Sequence, residues 1–352
     1  MNHVVIIAPV QFGYHIDTYY YCKHLRGRCH VTYIGWDNEF PAIVIEGINV
    51  ISVNRRGGPY RVIRFLQAVW QATPQASSIV FIKYCKFTSW IIRIIRPRNP
   101  MVLDIRTGSV AKNALARRCF DALMKIEALF FKNVTIISEG LAKKLNLETK
   151  TTILPLGAEI ISPVEKNFES CRMLYVGTFY NRNLENVIRG LGEYFSQQSN
   201  TEEIFLTIVG DGIPGQLEAL IAEAKRIGVH EFIEFRGRVP HDQLRPIFDN
   251  HNVGIAYIPL TSFYDDQPPT KTFEYLMSGM PVIATKTKAN QQIINYENGI
   301  LIGDASHDVC SGIGEMVKKL DHFSSCDIRA SVRNHEWSRI VNNLYIYLTN
   351  IK

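Results

Sequence analysis

Short apolar runs alternate with longer amphipathic stretches along the first half of the chain. This alternation is typical of a parallel sheet whose strands are joined by crossover helices. The apolar runs predict strands at Val4–Ala8, Val31–Ile34, Ile79–Ile82, Met101–Ile105, Val134–Ile137 and Thr152–Leu154. The amphipathic stretches predict helices near residues 14–26, 60–72, 88–95, 110–131 and 139–146. We therefore expect an α/β domain in this half.

The same alternation returns in the second half. Strands are predicted at Met173–Val176, Phe205–Val209, Ile233–Phe235, Val253–Tyr257, Val282–Ala284 and Gly299–Ile302. Helices are predicted near residues 184–196, 214–227, 241–249, 270–278, 289–294, 306–320 and 336–349. Proline and glycine cluster between Leu154 and Pro163, which marks a boundary. We therefore predict two domains, residues 1–158 and 159–335, followed by a helical segment in residues 336–352 that packs back towards the first domain.

Composition agrees with a globular protein of two domains, since the chain has 352 residues, of which 46% are hydrophobic and 20% are charged. No apolar run reaches the roughly 18 residues that suggest a membrane span. No secretory signal precedes the first predicted strand, and the seven cysteines have neither metal-ligand nor disulfide-framework spacing. We therefore expect a cytoplasmic protein with reduced thiols.

Positive charge is concentrated in the first half of the chain. Residues 1–150 contain 21 Lys and Arg against 9 Asp and Glu, whereas residues 151–352 contain 18 against 24. This imbalance predicts a surface for an anionic partner. No nucleic-acid-binding motif accompanies it, so an anionic membrane surface or a lipid-linked phosphate acceptor is favoured over nucleic acid. Trp90–Arg98 combines apolar bulk with three arginines and would suit such an interface; the alternative is a core helix whose arginines snorkel.

The segment Pro268–Ala284 carries most of the functional information. Two prolines lead into a predicted helix that Thr270 would cap, and Gly279 would end this helix in the left-handed conformation. A lysine and a glutamate lie in its first turns, at a helix N-terminus, which attracts anions. Lys271 would suit a phosphate and Glu274 would suit sugar hydroxyls. The alternative is an ordinary capped helix with a solvated ion pair.

This segment resembles the donor-site signature of nucleotide-sugar glycosyltransferases with the GT-B fold, specifically the retaining family 4 (glycosyl transferases group 1). The matching residues are Pro269, Lys271, Glu274, Tyr275, Gly279, Pro281 and Val282. Many members carry a second glutamate eight positions before the one matching Glu274, and this chain has Asp266 there. The resemblance covers residues 150–352 and, more weakly, the first half. It implies two Rossmann-like, doubly wound α/β domains facing each other across a cleft, the first for the acceptor and the second for the donor.

Further strand ends supply the rest of the donor site that the resemblance implies. Gly177 would let the backbone approach a diphosphate. Thr178 stands where the family usually has an arginine, which leaves Arg182 as the basic partner; the alternative for Arg182 is a solvated loop arginine. Main-chain groups near Gly237 would contact the base. The implied donor-binding set is Gly177, Thr178, Arg182, Gly210, Gly237, Val239, Asp266, Thr270, Lys271 and Glu274.

The catalytic and acceptor-side residues are also predicted at strand ends. Gly13 and His15 follow the first strand, and Asp104 and Arg106 lie at the end of the fourth predicted one. Asp104 is a candidate base, with an aspartate that merely pairs with Arg106 as the alternative. Lys271 and Arg182 complete the predicted catalytic set with Asp104, because they would stabilise the charge that develops on a departing diphosphate.

The sequence thus predicts a glycosyltransferase that moves a sugar from a UDP- or GDP-sugar to a hydroxyl of a saccharide or lipid-linked acceptor. We expect retention of configuration, a role in surface polysaccharide biosynthesis and a location at the inner face of the plasma membrane. We expect no cofactor and no metal, although the Asp265–Asp266 pair resembles Mg²⁺ ligands. The alternatives are an inverting GT-B transferase, a sugar-nucleotide epimerase and a non-catalytic nucleotide-sugar-binding subunit. A Rossmann dehydrogenase is disfavoured, because no Gly-x-Gly-x-x-Gly follows the first strand.

Overall fold

The chain divides into two compact units, and each is described by itself. The computed structural model describes residues 3–74, 78–109, 111, 113–198, 204–261 and 264–351. Unit 1 comprises residues 1–157 and 337–352, and unit 2 comprises residues 158–336. In this described part of the chain, no helix is both long and apolar enough to cross a membrane.

Unit 1 is built on a seven-stranded parallel sheet. Its strands are β1 (His3–Ile7), β2 (His30–Asp37), β3 (Ile48–Asn54), β4 (Ile79–Lys83), β5 (Met101–Ile105), β6 (Asn133–Ile136) and β7 (Thr151–Ile153). The helices between them are α1 (Ile16–Leu25), α2 (Tyr60–Ala72), α3 (Ser89–Ile95), α4 (Ala114–Leu129) and α5 (Glu139–Leu145).

The strand order in unit 1 is β3-β2-β1-β4-β5-β6-β7. Strand β1 is central, with Val4 paired to Val31 of β2 and to Ile79 of β4. Helices cover both faces of such a sheet, which is why β1 and β5 are almost continuously apolar and buried. The order reverses between β1 and β4. The carboxyl ends of the strands at such a reversal are the usual place for a ligand.

Unit 2 repeats this plan with six parallel strands. They are β8 (Cys171–Val176), β9 (Ile204–Val209), β10 (Ile233–Phe235), β11 (Val253–Ala256), β12 (Val282–Thr285) and β13 (Gly299–Ile302). Its helices are α6 (Glu185–Gln197), α7 (Gln216–Arg226), α8 (Arg245–Asp249), α9 (Thr270–Met277), α10 (Lys288–Gln291), α11 (Ser306–Lys319) and α12 (Ser325–Ser331). The order β10-β9-β8-β11-β12-β13 reverses between β8 and β11.

The last helix, α13 (Trp337–Thr349), belongs to unit 1 and packs on α1. Trp337 is buried and stacks on Tyr20, with ring centroids 5.1 Å apart. Its indole also covers Gly157, where an added Cβ would lie 2.4 Å from the ring. A single large aromatic side chain therefore fixes the end of the chain to this unit.

Most predicted elements are confirmed within a few residues, and the exceptions have physical causes. Strand β3 was not predicted because its polar side chains interrupt the apolar pattern. Helix α12 was not predicted either, since it is short and buries only Ser325 and Ile328. The predicted helix 241–249 is a 3₁₀ turn followed by α8. The predicted cap at Thr270 is wrong: Pro269 occupies the N-cap position, without a side-chain cap.

Candidate functional site

Three glycine-containing loops interlock at the carboxyl ends of β8, β9 and β10 in unit 2. The Gly177 amide donates to the Val209 carbonyl at 3.0 Å, and the Gly210 amide donates to the Gly237 carbonyl at 2.7 Å. Gly210 has φ +150°, and a Cβ on it would lie 1.8 Å from the Gly177 carbonyl oxygen. The backbone of these loops is therefore packed more closely than any side chain would allow.

We expect the substitution Gly210→Ala to destabilise the protein by about 1–3 kcal/mol, because the new methyl group would displace the Gly177 loop. Urea unfolding of the variant measures the change. Gly27→Ala is the matched control, since a Cβ there meets no atom within 4 Å. Equal stability of the two variants would contradict the close packing described above.

The N-terminus of α9 places a cation and a carboxylate in direct contact. Lys271 Nζ lies 2.5 Å from Glu274 Oε2, and His241 Nε2 lies 3.6 Å from Glu274 Oε1. Burial of Glu274 would raise its pKa, but Lys271 and then His241 outweigh burial and hold the pKa below its ordinary value. Glu274 is therefore an ionised, buried acceptor, whereas the Lys271 side chain is partly exposed.

A cavity of about 290 Å³ opens beside this helix end, between the loops that follow β8 and β11. Arg182 reaches it, with the guanidinium 4.5 Å from the ring centroid of Tyr264. The hydroxyl of the exposed Thr178 accepts a hydrogen bond from the Tyr180 amide at 3.2 Å. Five of the predicted donor-site residues line this cavity, namely Gly177, Thr178, Arg182, Thr270 and Lys271. Two cations, Arg182 and Lys271, thus line one cavity.

Other predicted donor-site residues lie outside the cavity lining. Gly237 is left-handed, with φ +59°, and its carbonyl is used by Gly210. Val239 is half-buried beyond it. The neighbouring Arg238 is exposed and lies 3.6 Å from Asp211, so its charge is directed to that side chain.

The carboxylate pair at residues 265 and 266 has separate surroundings. Asp265 accepts the Lys288 amide at 2.8 Å and lies 3.0 Å from Lys288 Nζ, so it fixes the start of α10. Asp266 is half-buried beside it. Nowhere in the described ranges are three His, Cys, Asp or Glu side chains grouped as a metal site requires.

A charged cluster lies at the carboxyl ends of β1 and β5 in unit 1. Arg106 donates to Asp17 at 2.9 Å and to the Leu154 carbonyl at 2.6 Å. Asp104 accepts from Thr135 at 2.8 Å. Burial raises the pKa of Asp104 to about 6, against the opposing effect of Arg106. The cluster is buried, so its charges must compensate one another.

This arrangement buries the predicted residues Asp104 and Arg106, whose side chains lie 3.9 Å apart. The Asp104 side chain has no exposed surface, and the Arg106 side chain is only 3% exposed. The catalytic role of Asp104 and the acceptor-side role of Arg106 stay predictions, and their burial favours the alternative of an aspartate that pairs with Arg106.

His15 is the predicted residue of unit 1 that keeps access to solvent. Its imidazole Nδ1 lies 3.7 Å from Asp17, and its side chain is 23% exposed. Burial, followed by Lys83, lowers the pKa of His15 to about 4, so the ring is neutral at pH 7. Gly13 has φ +88°, and the Ile43 side chain would lie 2.4 Å from an added Cβ.

Sequence reasoning missed His241, Asp17 and Lys83. His241 begins the turn after the third strand of unit 2, directly beyond the Gly237 loop. The strand-end argument that selected Gly177 and Gly210 would have selected it as well. Lys83 ends β4, so the same argument would have selected it, whereas Asp17 lies in α1 and carried no such signal.

The family model described as "Glycosyl transferases group 1" matches residues 170–319, which lie in unit 2. No curated protein matches the chain. Several solved structures are similar over almost their whole length, and these similarities confirm the predicted α/β GT-B fold.

Three of these structures illustrate the likeness. HepE of Anabaena in complex with UDP and glucose has a TM-score of 0.78 at 13% identity, with 100% of each chain covered. Sucrose-phosphate synthase from Thermosynechococcus elongatus has a TM-score of 0.74 at 16% identity, with 99% of each chain covered. The lipopolysaccharide outer core galactosyltransferase WaaB, in its apo form, has a TM-score of 0.71 at 13% identity, with 98% of this chain and 99% of that chain covered.

Proposed function

Since the protein is a glycosyltransferase with the GT-B fold, we propose that it transfers a sugar from a nucleoside diphosphate sugar to a hydroxyl group. The observation that carries this proposal is the start of α9, where Lys271 lines the same cavity as Gly177 and contacts the buried, ionised Glu274. A diphosphate needs cations and close backbone, and a ribose needs a carboxylate acceptor. Unit 2 places cations, closely packed backbone and a carboxylate near the carboxyl ends of its strands.

Donor binding would replace contacts that the site residues now make with one another. Lys271 would move from Glu274 to the diphosphate. The ribose hydroxyls would then donate hydrogen bonds to the Glu274 carboxylate. Arg182 would bind the diphosphate from the opposite wall of the cavity. His241 would hold Glu274 in place through its 3.6 Å contact. The negative charge of the departing nucleotide would be stabilised by the two cations and the free amides of the helix end.

We propose that this stabilisation works without a metal ion or other cofactor. Lys271 and Arg182 supply two positive charges at the cavity, and Asp265 is occupied by Lys288. Initial rates in the presence of EDTA test this point directly. Rates equal to those with Mg²⁺ are expected, and a loss of activity that Mg²⁺ restores would contradict it.

For the donor, a UDP-sugar is the first choice and a GDP-sugar the second. HepE of Anabaena is a similar structure in complex with UDP-glucose. We propose a saccharide or lipid-linked acceptor, a role in surface polysaccharide synthesis and a cytoplasmic location. The excess of 21 basic over 9 acidic residues in residues 1–150 supports an anionic acceptor.

We propose retention of configuration, with the acceptor hydroxyl attacking from the face that the diphosphate leaves and passing its proton to the departing phosphate. An inverting transfer is the second candidate, and His15 favours it. The imidazole of His15 is neutral at pH 7 and partly exposed, so it would be able to accept the proton of an acceptor hydroxyl.

The experiment that tests the function is turnover of a panel of UDP-, GDP-, ADP- and dTDP-sugars with saccharide and lipid-linked acceptors. Product NMR of the anomeric centre separates retention from inversion. We expect transfer from one donor class, with the donor anomer retained. Turnover of a donor without any acceptor to an isomeric donor would indicate an epimerase, and binding without turnover would indicate a non-catalytic subunit.

A further inference from the structure

Three helices of unit 1 form one layer over one face of its sheet. Helix α3 contacts both α2 and α4. Each of the three connects parallel strands in the direction from β3 towards β6, so right-handed crossovers place them on the same side. Phe65, Ile92 and Met124 are among the side chains that these helices bury against the sheet. The opposite face of the layer is outermost.

This outer face, which we call the α2–α4 surface, is unusually apolar. In α2, Tyr60 and Trp70 are 71% and 52% exposed, at a spacing that puts them on one stripe with Ile63. Helix α4 has a corresponding stripe. The exposed apolar side chains of the surface are Tyr60, Ile63, Trp70, Ile94, Leu115, Ile126, Leu129 and Phe130. Scattered exposed apolar residues are ordinary, but a set spread over three adjacent helices marks an interaction site.

The same region is strongly basic. Residues 55–132 contain 15 Lys and Arg against 3 Asp and Glu. Asp104 and Glu127 are buried, and Asp121 is occupied by the Ser109 amide at 2.8 Å and by Lys144 at 3.8 Å. The α2–α4 surface therefore combines exposed apolar side chains with positive charge and almost no negative charge.

Two arginines of the Trp90–Arg98 segment are structural. Arg93 donates to the Pro97 carbonyl at 3.1 Å, and Arg96 lies 3.5 Å from the ring centroid of Trp70. They link α3 to its surroundings and hold Trp70 on the outer face. Exposed positive charge lies on α2 and α4, at Arg61 and Arg118, and after α3, at Arg98.

We propose that the α2–α4 surface docks on an anionic lipid bilayer. Aromatic and aliphatic side chains would enter the boundary between headgroups and acyl chains, while arginines contact lipid phosphates. Nucleic acid offers no place for the aliphatic side chains, and a bilayer accommodates both features at once. The proposal does not depend on the transfer reaction.

A cavity of about 640 Å³ adjoins the start of α2. Three arginines, Arg55, Arg56 and Arg61, line it together with Asp37 and Glu39, and Glu39 pairs with Arg56 at 2.5 Å. This cavity would receive a lipid headgroup at the edge of the α2–α4 surface. Its net positive lining is consistent with an anionic headgroup.

Vesicle flotation of the full-length protein tests the proposal. We expect binding to phosphatidylcholine vesicles that contain phosphatidylglycerol and no binding to phosphatidylcholine alone. The double variant Arg61→Glu/Arg118→Glu should lower the partition coefficient by roughly 100-fold, because each basic residue contributes near an anionic surface. Ile63→Ser/Leu129→Ser should lower it by roughly 10-fold, through loss of apolar contact.

Matched controls distinguish docking through the α2–α4 surface from a general effect of the protein's net charge on vesicle binding. Lys225→Glu/Lys318→Glu makes the same charge change on exposed residues of unit 2, and Ile346→Ser removes an exposed apolar side chain elsewhere in unit 1. Both should bind vesicles like the wild type, and thermal unfolding should show that all variants are folded. Failure of the wild type to bind anionic vesicles would overturn the proposal. So would equal losses in the α2–α4 variants and the controls.

Discussion

Lys271→Ala is expected to lower kcat by roughly 10²–10³-fold, because it removes a cation that would face the departing diphosphate. The side chain sits at the start of α9, where it also lowers the pKa of the buried Glu274. Its loss would therefore raise the pKa of Glu274 and weaken the carboxylate as an acceptor for the ribose. Initial rates at saturating donor measure the effect on kcat, and the donor concentration series measures KM.

Lys225→Ala is the control for this variant. Lys225 is exposed on α7 and lies outside the cavity lining, so its removal should leave both kinetic constants unchanged. A folded Lys271→Ala protein that keeps the kcat of the wild type would remove Lys271 from the proposed mechanism. An effect on KM alone would show that Lys271 binds the donor equally in the ground and transition states.

Arg106→Met is expected to destabilise the protein by about 3–5 kcal/mol. Arg106 is buried between Asp17 and the Leu154 carbonyl, and its removal would leave the Asp17 and Asp104 carboxyl groups in an apolar interior. Methionine fills much of the same volume, so the measured loss would report the missing charge more than a cavity. Urea unfolding at pH 7 measures the free energy of unfolding.

The exposed pair Arg56–Glu39 provides the comparison. Its two side chains are largely open to solvent, so Arg56→Met should cost less than about 1 kcal/mol. If Arg106→Met lowered the free energy of unfolding as little as Arg56→Met, the buried carboxyl groups would not need Arg106 to compensate their charge. Asp104 would then need another role.

The sequence predicted the strands and the donor-site helix well because their signals are local. Buried parallel strands are short apolar runs, and β5, β10 and β13 lie at the predicted residues. Gly279 ends α9 with φ +73°, as its position after the helix suggested. Strand β3 gives a weaker signal, because Asn49 and Ser52 interrupt its apolar residues and only Val53 is buried.

Residue roles were harder to predict than elements because burial and pairing depend on the whole unit. The end of β5 made Asp104 a plausible base, but packing within unit 1 removed its access to solvent. The contact of His241 with Glu274 joins a turn to a helix, and the two residues are 33 positions apart in the sequence. The local sequence pattern predicts which residues end a strand, but only the tertiary structure shows which atoms those residues contact.

The most direct test of the central account is isothermal titration of UDP, UDP-glucose, GDP-mannose and ADP-glucose into the wild type, Lys271→Ala and Glu274→Gln. Thermal unfolding without ligand would first establish that each variant is folded. The account predicts that the wild type binds one nucleotide class, and that both variants lose most of this affinity while Lys225→Ala keeps it. Binding of a nucleotide sugar with equal affinity to the wild type and both variants would contradict a donor site at the start of α9.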